Sequence, residues 1–470
     1  MESAKKKSGI RLPARAAAWY VASSIIARGV GVLGTPVFTR LLDPAEYGLF
    51  PLYNGYLSIL TVLCSLELTG SVLYKELGRH EGKKEEVLCS ALAPCLLTTL
   101  LFGTIYLPFH GTINRLSGLS TSVSIILISQ TFINIVSSIY ASGMRYEYKY
   151  KTVAMLNLFA ALGAPIVSVA LIRLTPLRSE ARIVGLVIAT ALIAVALLPA
   201  FIRGRRGFVD IPTIKGLVKT GLPLLPYYLS FTLINRINEL TVGRFLGTGA
   251  LGGYSIAVAL GSSLNILSLG ILSALNPWIA RRLKDKDTNS VRELVTLCFY
   301  ALCLAAILLL GIMPEVIKIV TPPDFHYALG YVYPICLSVI PAFLSGALSS
   351  AAAYLGRGGR VSVYAVAVAL ISTVSSFITV PLFGEMAGAI ITLGSYILLT
   401  LTNCVVYKRA AGELPLKLFK CSAAFLISAI FCMLLFTFRE VLISRALLLL
   451  ATLPLCFLLA KRVIINVKES

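Results

Sequence analysis

The sequence predicts an all-α polytopic membrane protein with 14 transmembrane helices, arranged as two pseudo-symmetric six-helix halves plus two C-terminal helices. Three observations lead there: long apolar runs, basic residues collected on alternate sides of those runs, and a pattern that repeats after 204 residues.

The runs cover residues 16–39, 48–66, 87–108, 119–142, 152–172, 183–202, 217–243, 250–275, 294–313, 329–352, 361–382, 386–407, 418–438 and 441–460. Each is long enough to cross a hydrocarbon layer of about 30 Å as a helix, the one open structure that satisfies its own backbone there. A membrane β-barrel would need strands of period two, and residues 90–109 (SALAPCLLTTLLFGTIYLPF) have no such period.

Lysine and arginine set the orientation. Of the 42, 31 are counted with one set of loops and the run ends beside them, 9 with the other, and Arg28 and Arg236 lie deep within runs. Basic loops stay on the cytoplasmic side, so both termini are expected in the cytoplasm and the chain in the cytoplasmic membrane. The net charge of +21 then lines one face, where anionic lipid headgroups attract it. Nucleic acid is excluded as a partner, because the cations punctuate apolar spans and form no soluble patch.

Chemistry-bearing residues are sparse. The ten cysteines sit in or beside apolar runs with no CxxC pair, and read as small packing residues. His80, His110 and His326 fall in loops at no metal-ligand spacing, so neither metal nor cofactor is expected. The gaps of at most about twenty residues leave no room for a soluble catalytic domain, and the chain is not expected to be an enzyme. No GxxxxGK[ST] motif is present, which argues against ATP hydrolysis. Residues 1–15 read as a basic cytoplasmic flank rather than a cleavable signal.

At the 204-residue offset, residues 39–50 (TRLLDPAEYGLF) lie over 243–254 (GRFLGTGALGGY), pairing Arg40 with Arg244, Leu42 with Leu246 and Gly48 with Gly252. The expected divisions are 1–15, a first half 16–202, a linker 203–216, a second half 217–407, and 408–470 with two further helices and a tail. Halves of six spans share one orientation, which puts the pseudo-two-fold axis along the membrane normal with a cavity between them.

Polar residues inside spans are the candidate site, since a charge at bilayer depth is costly unless paired or wet. Arg28 shares a helical face with Ser24, Gly31 and Thr35. Arg236 belongs to a stripe of Tyr228, Thr232, Asn235, Glu239 and Gly243 that cannot face lipid. Arg236 and Glu239, at i and i+3, either neutralise each other or face a substrate, and Glu239 is the candidate for binding a coupling proton or sodium. Gln130 and Asn134 head a second stripe, read either as substrate contacts or as interhelical hydrogen bonds. Gly29, Gly31, Gly34, Pro36, Pro223 and Pro226 mark places where spans bend or pack closely.

Residues 38–60 (FTRLLDPAEYGLFPLYNGYLSIL) resemble the start of polysaccharide transporters in the multidrug, oligosaccharidyl-lipid and polysaccharide (MOP) exporter superfamily, through Arg40, Leu41, Leu42, Asp43, Pro44, Glu46, Tyr47 and Gly48. Residues 243–260 (GRFLGTGALGGYSIAVAL) resemble the start of that family's second half. The resemblance, which includes the Wzx-type flippases, implies translocation of undecaprenyl-diphosphate-linked oligosaccharide between leaflets for surface polysaccharide synthesis. The implied partners are that lipid-linked substrate, membrane lipids and other polysaccharide-assembly proteins. A diphosphate needs fixed positive charge to replace its water. Arg28 and Arg236 would supply it, with Thr232, Asn235, Gln130 and Asn134 lining the path. Two relatives offer alternatives. A lipid II flippase would carry several first-half cavity arginines where one is found here, and a cation-coupled multidrug exporter would favour cavity carboxylates. A membrane glycosyltransferase, ligase or polymerase would need larger outside loops than these.

Overall fold

The computed structural model describes residues 19–450 apart from 20, 21, 24, 25, 28, 32, 81, 204–208, 286 and 413–417. Every regular element among the described residues is helical. They are α1 (33–41), α2 (Pro44–Ser65), α3 (Ser71–Arg79), α4 (Lys84–Ser117), α5 (Thr121–Tyr146), α6 (Tyr150–Leu174), α7 (Arg178–Arg203), α8 (Ile211–Gly221) and α9 (Leu225–Phe245). Then follow α10 (Gly247–Gly261), α11 (Leu264–Lys284), α12 (Thr288–Val320), a 3₁₀ turn at Pro323–Ala328, α13 (Leu329–Tyr354), α14 (Gly358–Phe383), α15 (Glu385–Ala411), α16 (Leu418–Thr437) and α17 (Leu442–Leu450).

Ten of the described helical spans are long and apolar enough to cross a membrane, and two bent pairs bring the number to as many as 12. These match the second to the thirteenth apolar runs. The first and last runs lie partly outside the described residues, and the described spans are compatible with 14. The protein is a multi-pass membrane protein.

The bent pairs are α8 with α9, at 52°, and α10 with α11, at 42°. The first bend falls at Leu222–Leu224, where Pro223 has no N–H to continue the ladder. The proline in the sequence thus marks it. The second bend, at Ser262 and Ser263, carries no proline: the Ser263 hydroxyl donates to the Leu260 carbonyl at 2.6 Å, inserting a side chain into the ladder.

The chain forms two compact units, Met1–Arg236 with Gly247–Leu251, and Ile237–Leu246 with Gly252–Ser470. In the first, α3 and α8 are short helices packed beside the ends of the spans. Leu68, Leu73, Leu77, Val87, Leu88, Ile135, Ile139 and Leu217 form the apolar core where α3, α4, α5 and α8 meet. On another side of this unit α6 and α7 approach to backbone contact. A Cβ on Gly185 would lie 2.7 Å from the Ser168 backbone nitrogen, and the Ser168 hydroxyl donates to the Ala164 carbonyl at 2.7 Å and to the Arg182 carbonyl at 3.3 Å. Small residues permit this approach, and the hydroxyl secures it.

In the second unit α13 is the most enclosed span, with Val332, Cys336, Ile340 and Phe343 fully buried. It is held to α15 by Thr400, whose hydroxyl donates to the Pro341 carbonyl at 2.7 Å, and by Asn403, which donates to the Ser345 hydroxyl at 2.9 Å. Outward-facing leucines, isoleucines and phenylalanines of α4, α14 and α16 stay exposed, as suits surfaces solvated by lipid tails.

Candidate functional site

α9 carries the predicted polar stripe. Pro223 and Pro226 precede and open the helix, and from there the 3.6-residue repeat brings Thr232, Asn235, Arg236 and Glu239 onto neighbouring positions. Thr232 is half-buried and donates to the Tyr228 carbonyl at 3.0 Å. Asn235 is exposed and donates to the Phe231 carbonyl at 2.7 Å. Arg236 is half-buried, whereas Glu239 is 4% exposed. The boundary between the compact units falls between Arg236 and Ile237. Arg28 lies outside the described residues.

Gln130 and Asn134 do come together, on α5 within the first unit. Gln130 is wholly buried, and its amide donates to Asn134 Oδ1 at 3.0 Å and to the Thr190 hydroxyl of α7 at 2.8 Å. These bonds bridge α5 to α7, and Asn134 keeps partial exposure.

The second unit gathers a buried polar cluster that the sequence suggested only through Glu239. Next to it on α9, Asn238 donates to the Thr392 hydroxyl of α15 at 2.8 Å, and its Oδ1 is buried without a hydrogen-bond donor among the described residues. Thr241 shares a hydrogen bond of 2.6 Å with Ser376 of α14. Tyr254 of α10 engages Thr392 and lies within electrostatic reach of Glu239. Gly388 makes the meeting of α9, α10 and α15 close, since a Cβ there would stand 3.4 Å from the Tyr254 hydroxyl and 3.5 Å from Asn238 Cβ. A buried carboxylate next in sequence to this cluster is chemistry suited to a proton or a small hard cation. Among the described residues no three His, Cys, Asp or Glu side chains converge as a metal centre.

Sequence reasoning missed three other arginines, all counted with the outside loops. Arg178 and Arg182 open α7. Arg178 Nη2 reaches Glu46 Oε2 at 2.7 Å, while Glu46 also completes a capping box with Asp43: Glu46 N donates to Asp43 Oδ1 at 2.8 Å and Asp43 N to Glu46 Oε2 at 3.1 Å. One turn further in, the Arg182 guanidinium stands 4.4, 4.6 and 4.1 Å from the ring centres of Phe38, Tyr47 and Phe50. The "D-P-x-E-Y" segment is therefore a clasp: Asp43 and Pro44 start α2, while Glu46 and Tyr47 hold α7. In the second unit Arg445 of α17 is 4% exposed and pairs with Glu315 of α12 at 2.7 Å, also donating to the Gly311 carbonyl at 3.0 Å. The signal in each case was a carboxylate or aromatic group at a helix end, more than a hundred residues away.

The fold is that of solved transporters, several of them described as members of the MOP exporter superfamily. The chain aligns with a MATE-family multidrug-resistance transporter in its inward-facing conformation at TM-score 0.64 and 12% identity, over 84% of this chain and 95% of that one. It aligns with the lipid II flippase MurJ in an inward closed conformation at TM-score 0.70 and 13% identity, over 94% and 99%. A MOP superfamily transporter from Pyrococcus furiosus, described as having a binding pocket of reverse polarity, aligns at TM-score 0.55 and 13% identity, over 88% and 96%. The family model for polysaccharide biosynthesis proteins matches residues 14–283, more than half of the chain, and the chain belongs to that family. The MatE family model matches residues 223–378. No curated protein matches the sequence.

Proposed function

We propose that this MOP-superfamily transporter is a flippase that carries undecaprenyl-diphosphate-linked oligosaccharide across the cytoplasmic membrane by alternating access, for surface polysaccharide synthesis. The carrying observation is the polysaccharide biosynthesis family match over a fold whose α9 bears a half-buried arginine in a polar stripe. A diphosphate headgroup loses its water on entering hydrocarbon, and a guanidinium held at membrane depth replaces it with charge-assisted hydrogen bonds. Arg236 and Arg28 take that role, with Thr232, Asn235, Gln130 and Asn134 along the path. The polyprenyl tail stays in lipid. Both termini lie in the cytoplasm, and membrane lipids and other polysaccharide-assembly proteins are the remaining partners.

Glu239, buried on α9 next to Asn238 of the polar cluster, is the group through which a proton or sodium gradient drives the cycle. The MatE match over 223–378 favours a second reading, a cation-coupled multidrug exporter, and the MurJ likeness of fold a third, a lipid II flippase. Complementation separates them. A strain lacking its saccharide flippase should recover surface glycan with the wild type and lose it with Arg236→Ala at matched membrane abundance. Full activity from both Arg28→Ala and Arg236→Ala would remove the site assignment. Failure of the wild type in several matched hosts, together with rescue of a lipid II flippase mutant or raised drug resistance, would replace the substrate class.

A further inference from the structure

The turn between α2 and α3 is pressed onto the bend between α8 and α9. Leu66 and Glu67 both have left-handed backbones, with φ of 48° and 53°. Two successive residues with a Cβ hold this disfavoured conformation only where their surroundings impose it. Those surroundings are specific. Leu68 is fully buried in the core of α3, α4, α5 and α8. A Cβ on Gly221 would lie 2.6 Å from Leu68 Cδ2 and 2.7 Å from the Leu66 carbonyl oxygen. Gly221 ends α8, immediately before the Leu222–Leu224 bend from which α9 departs with Thr232, Asn235 and Arg236.

Glu67 is half-buried in this contact. Its backbone N–H reaches the Ser65 hydroxyl at 3.4 Å, and no hydrogen bond or ion pair holds its carboxyl among the described residues. Burial pushes that carboxyl up from 4.5 to about 7. The charged groups of α3, α4 and α8 are engaged elsewhere or turned outward. On α3, Glu76 is taken by Arg79 at 2.7 Å and lies 3.8 Å from the His80 ring, and Lys75 is exposed. On α8, Lys215 and Lys219 are exposed, and on α4, Lys84 pairs with Glu147 at 2.8 Å.

We propose that Glu67 is a proton-binding site whose occupancy sets whether the 66–68 turn stays packed on Gly221, and through that contact the bend between α8 and α9. An ionised carboxyl draws water and the strained turn outward, whereas a neutral one tolerates the packed position. The sign follows from linkage. The packed turn binds the proton more tightly than the opened turn, so packing gains as pH falls from about 7 towards 4.5 and is weakest above about 7. This proton site belongs to the first unit, apart from Glu239 in the second, and does not depend on which substrate is carried.

Amide hydrogen exchange on the full-length protein in detergent, between about pH 5.5 and 8.5 and corrected for the intrinsic pH dependence of exchange, tests this. Protection of peptides covering 64–70 and 218–226 should fall severalfold as pH rises in the wild type. Glu67→Gln should stay protected throughout, Glu67→Asp should keep the response, and Gly221→Ala, which forces the turn off the bend, should lose protection at every pH. His80→Gln should leave the response in place. A flat wild-type profile, the same response in Glu67→Gln, or a response abolished by His80→Gln would overturn the proposal. No substrate enters this measurement, so its failure leaves the flippase reading to complementation.

Discussion

The guanidinium of Arg182 lies 4.1 Å from the centre of the Phe50 ring, with Phe38 and Tyr47 completing a cage around it. Its Nη1 is buried without a hydrogen-bond partner among the described residues. A planar, weakly hydrated cation suits such a site, because stacking on three rings offsets part of the desolvation. A compact ammonium is more strongly hydrated and cannot stack. Arg182→Met should therefore be tolerated better than Arg182→Lys, with a gap of about 1–2 kcal/mol in thermal or denaturant unfolding of the purified protein. Lysine proving the better replacement would show that charge alone, rather than stacking, holds this corner.

The capping box at the start of α2 gives a second, smaller expectation. Asp43→Ala removes the acceptor for Glu46 N and should cost about 1 kcal/mol. Arg178→Ala removes an ion pair whose arginine side chain is 57% exposed, so salt and water already weaken it. The order of unfolding midpoints should be wild type, Arg178→Ala, then Asp43→Ala, with the first difference shrinking in high salt.

Asp210 supplies a pH dependence. Hydrogen bonds from Thr213, first the hydroxyl and then the backbone N–H, hold its carboxyl below the ordinary value of 3.8. A depressed carboxyl contributes stability above its unfolded value and loses it as pH falls through the folded one. The start of α8, tied to α4 by the Asp210 N–H donating to the Ser90 hydroxyl at 2.9 Å, should therefore loosen in acid below about 3.8. Asp210→Asn should flatten that limb in circular dichroism or exchange measurements.

The spans were legible because a bilayer-crossing helix must be apolar over a length set by the membrane, and composition records that directly. Their ends were not. The run at 87–108 sits inside a helix from Lys84 to Ser117, because the hydrogen-bond ladder continues through polar residues until Gly118 adopts φ 72°. The same limit hid Arg182, which the runs leave in a loop, and Arg445, which the charge count placed with one, although both lie within helices and against partners that only the fold brings near. Pro223 announced the bend at 222–224, whereas the bend at Ser262 and Ser263 is marked only by the Gly261–Ser262–Ser263 step, a weaker signal than proline. On α9 the stripe was readable from its period, but Asn238 was not, since its partner Thr392 stands 154 residues away.

Gly185 tests how closely α6 and α7 must approach. The atoms that would meet a Cβ there are Ser168 N at 2.7 Å and Ser168 Cα at 2.8 Å, which are backbone and cannot rotate aside. Gly185→Val should cost about 3 kcal/mol or more and sharply lower the folded yield in membranes. Gly270→Ala, where nothing lies within 4 Å, is the matched control and should fold normally. Equal yields for the two would mean that the helices can separate without penalty.

Glu239 and Asn238 adjoin on α9, yet substitution should separate their roles. Asn238→Ala breaks the bond to Thr392 and should cost about 1–3 kcal/mol, because a half-buried hydroxyl loses its donor and a small void remains. Glu239→Gln keeps the shape and removes only the ionisable group, so a cluster that binds the driving ion should keep its unfolding midpoint and lose ion dependence. In proteoliposomes loaded with a fluorescent lipid-linked saccharide, the wild type should flip faster under an imposed proton or sodium gradient, and Glu239→Gln should run at one rate with or without it. If the gradient response survives in Glu239→Gln while Glu67→Gln abolishes it, the coupling carboxyl is the one at the α8–α9 bend.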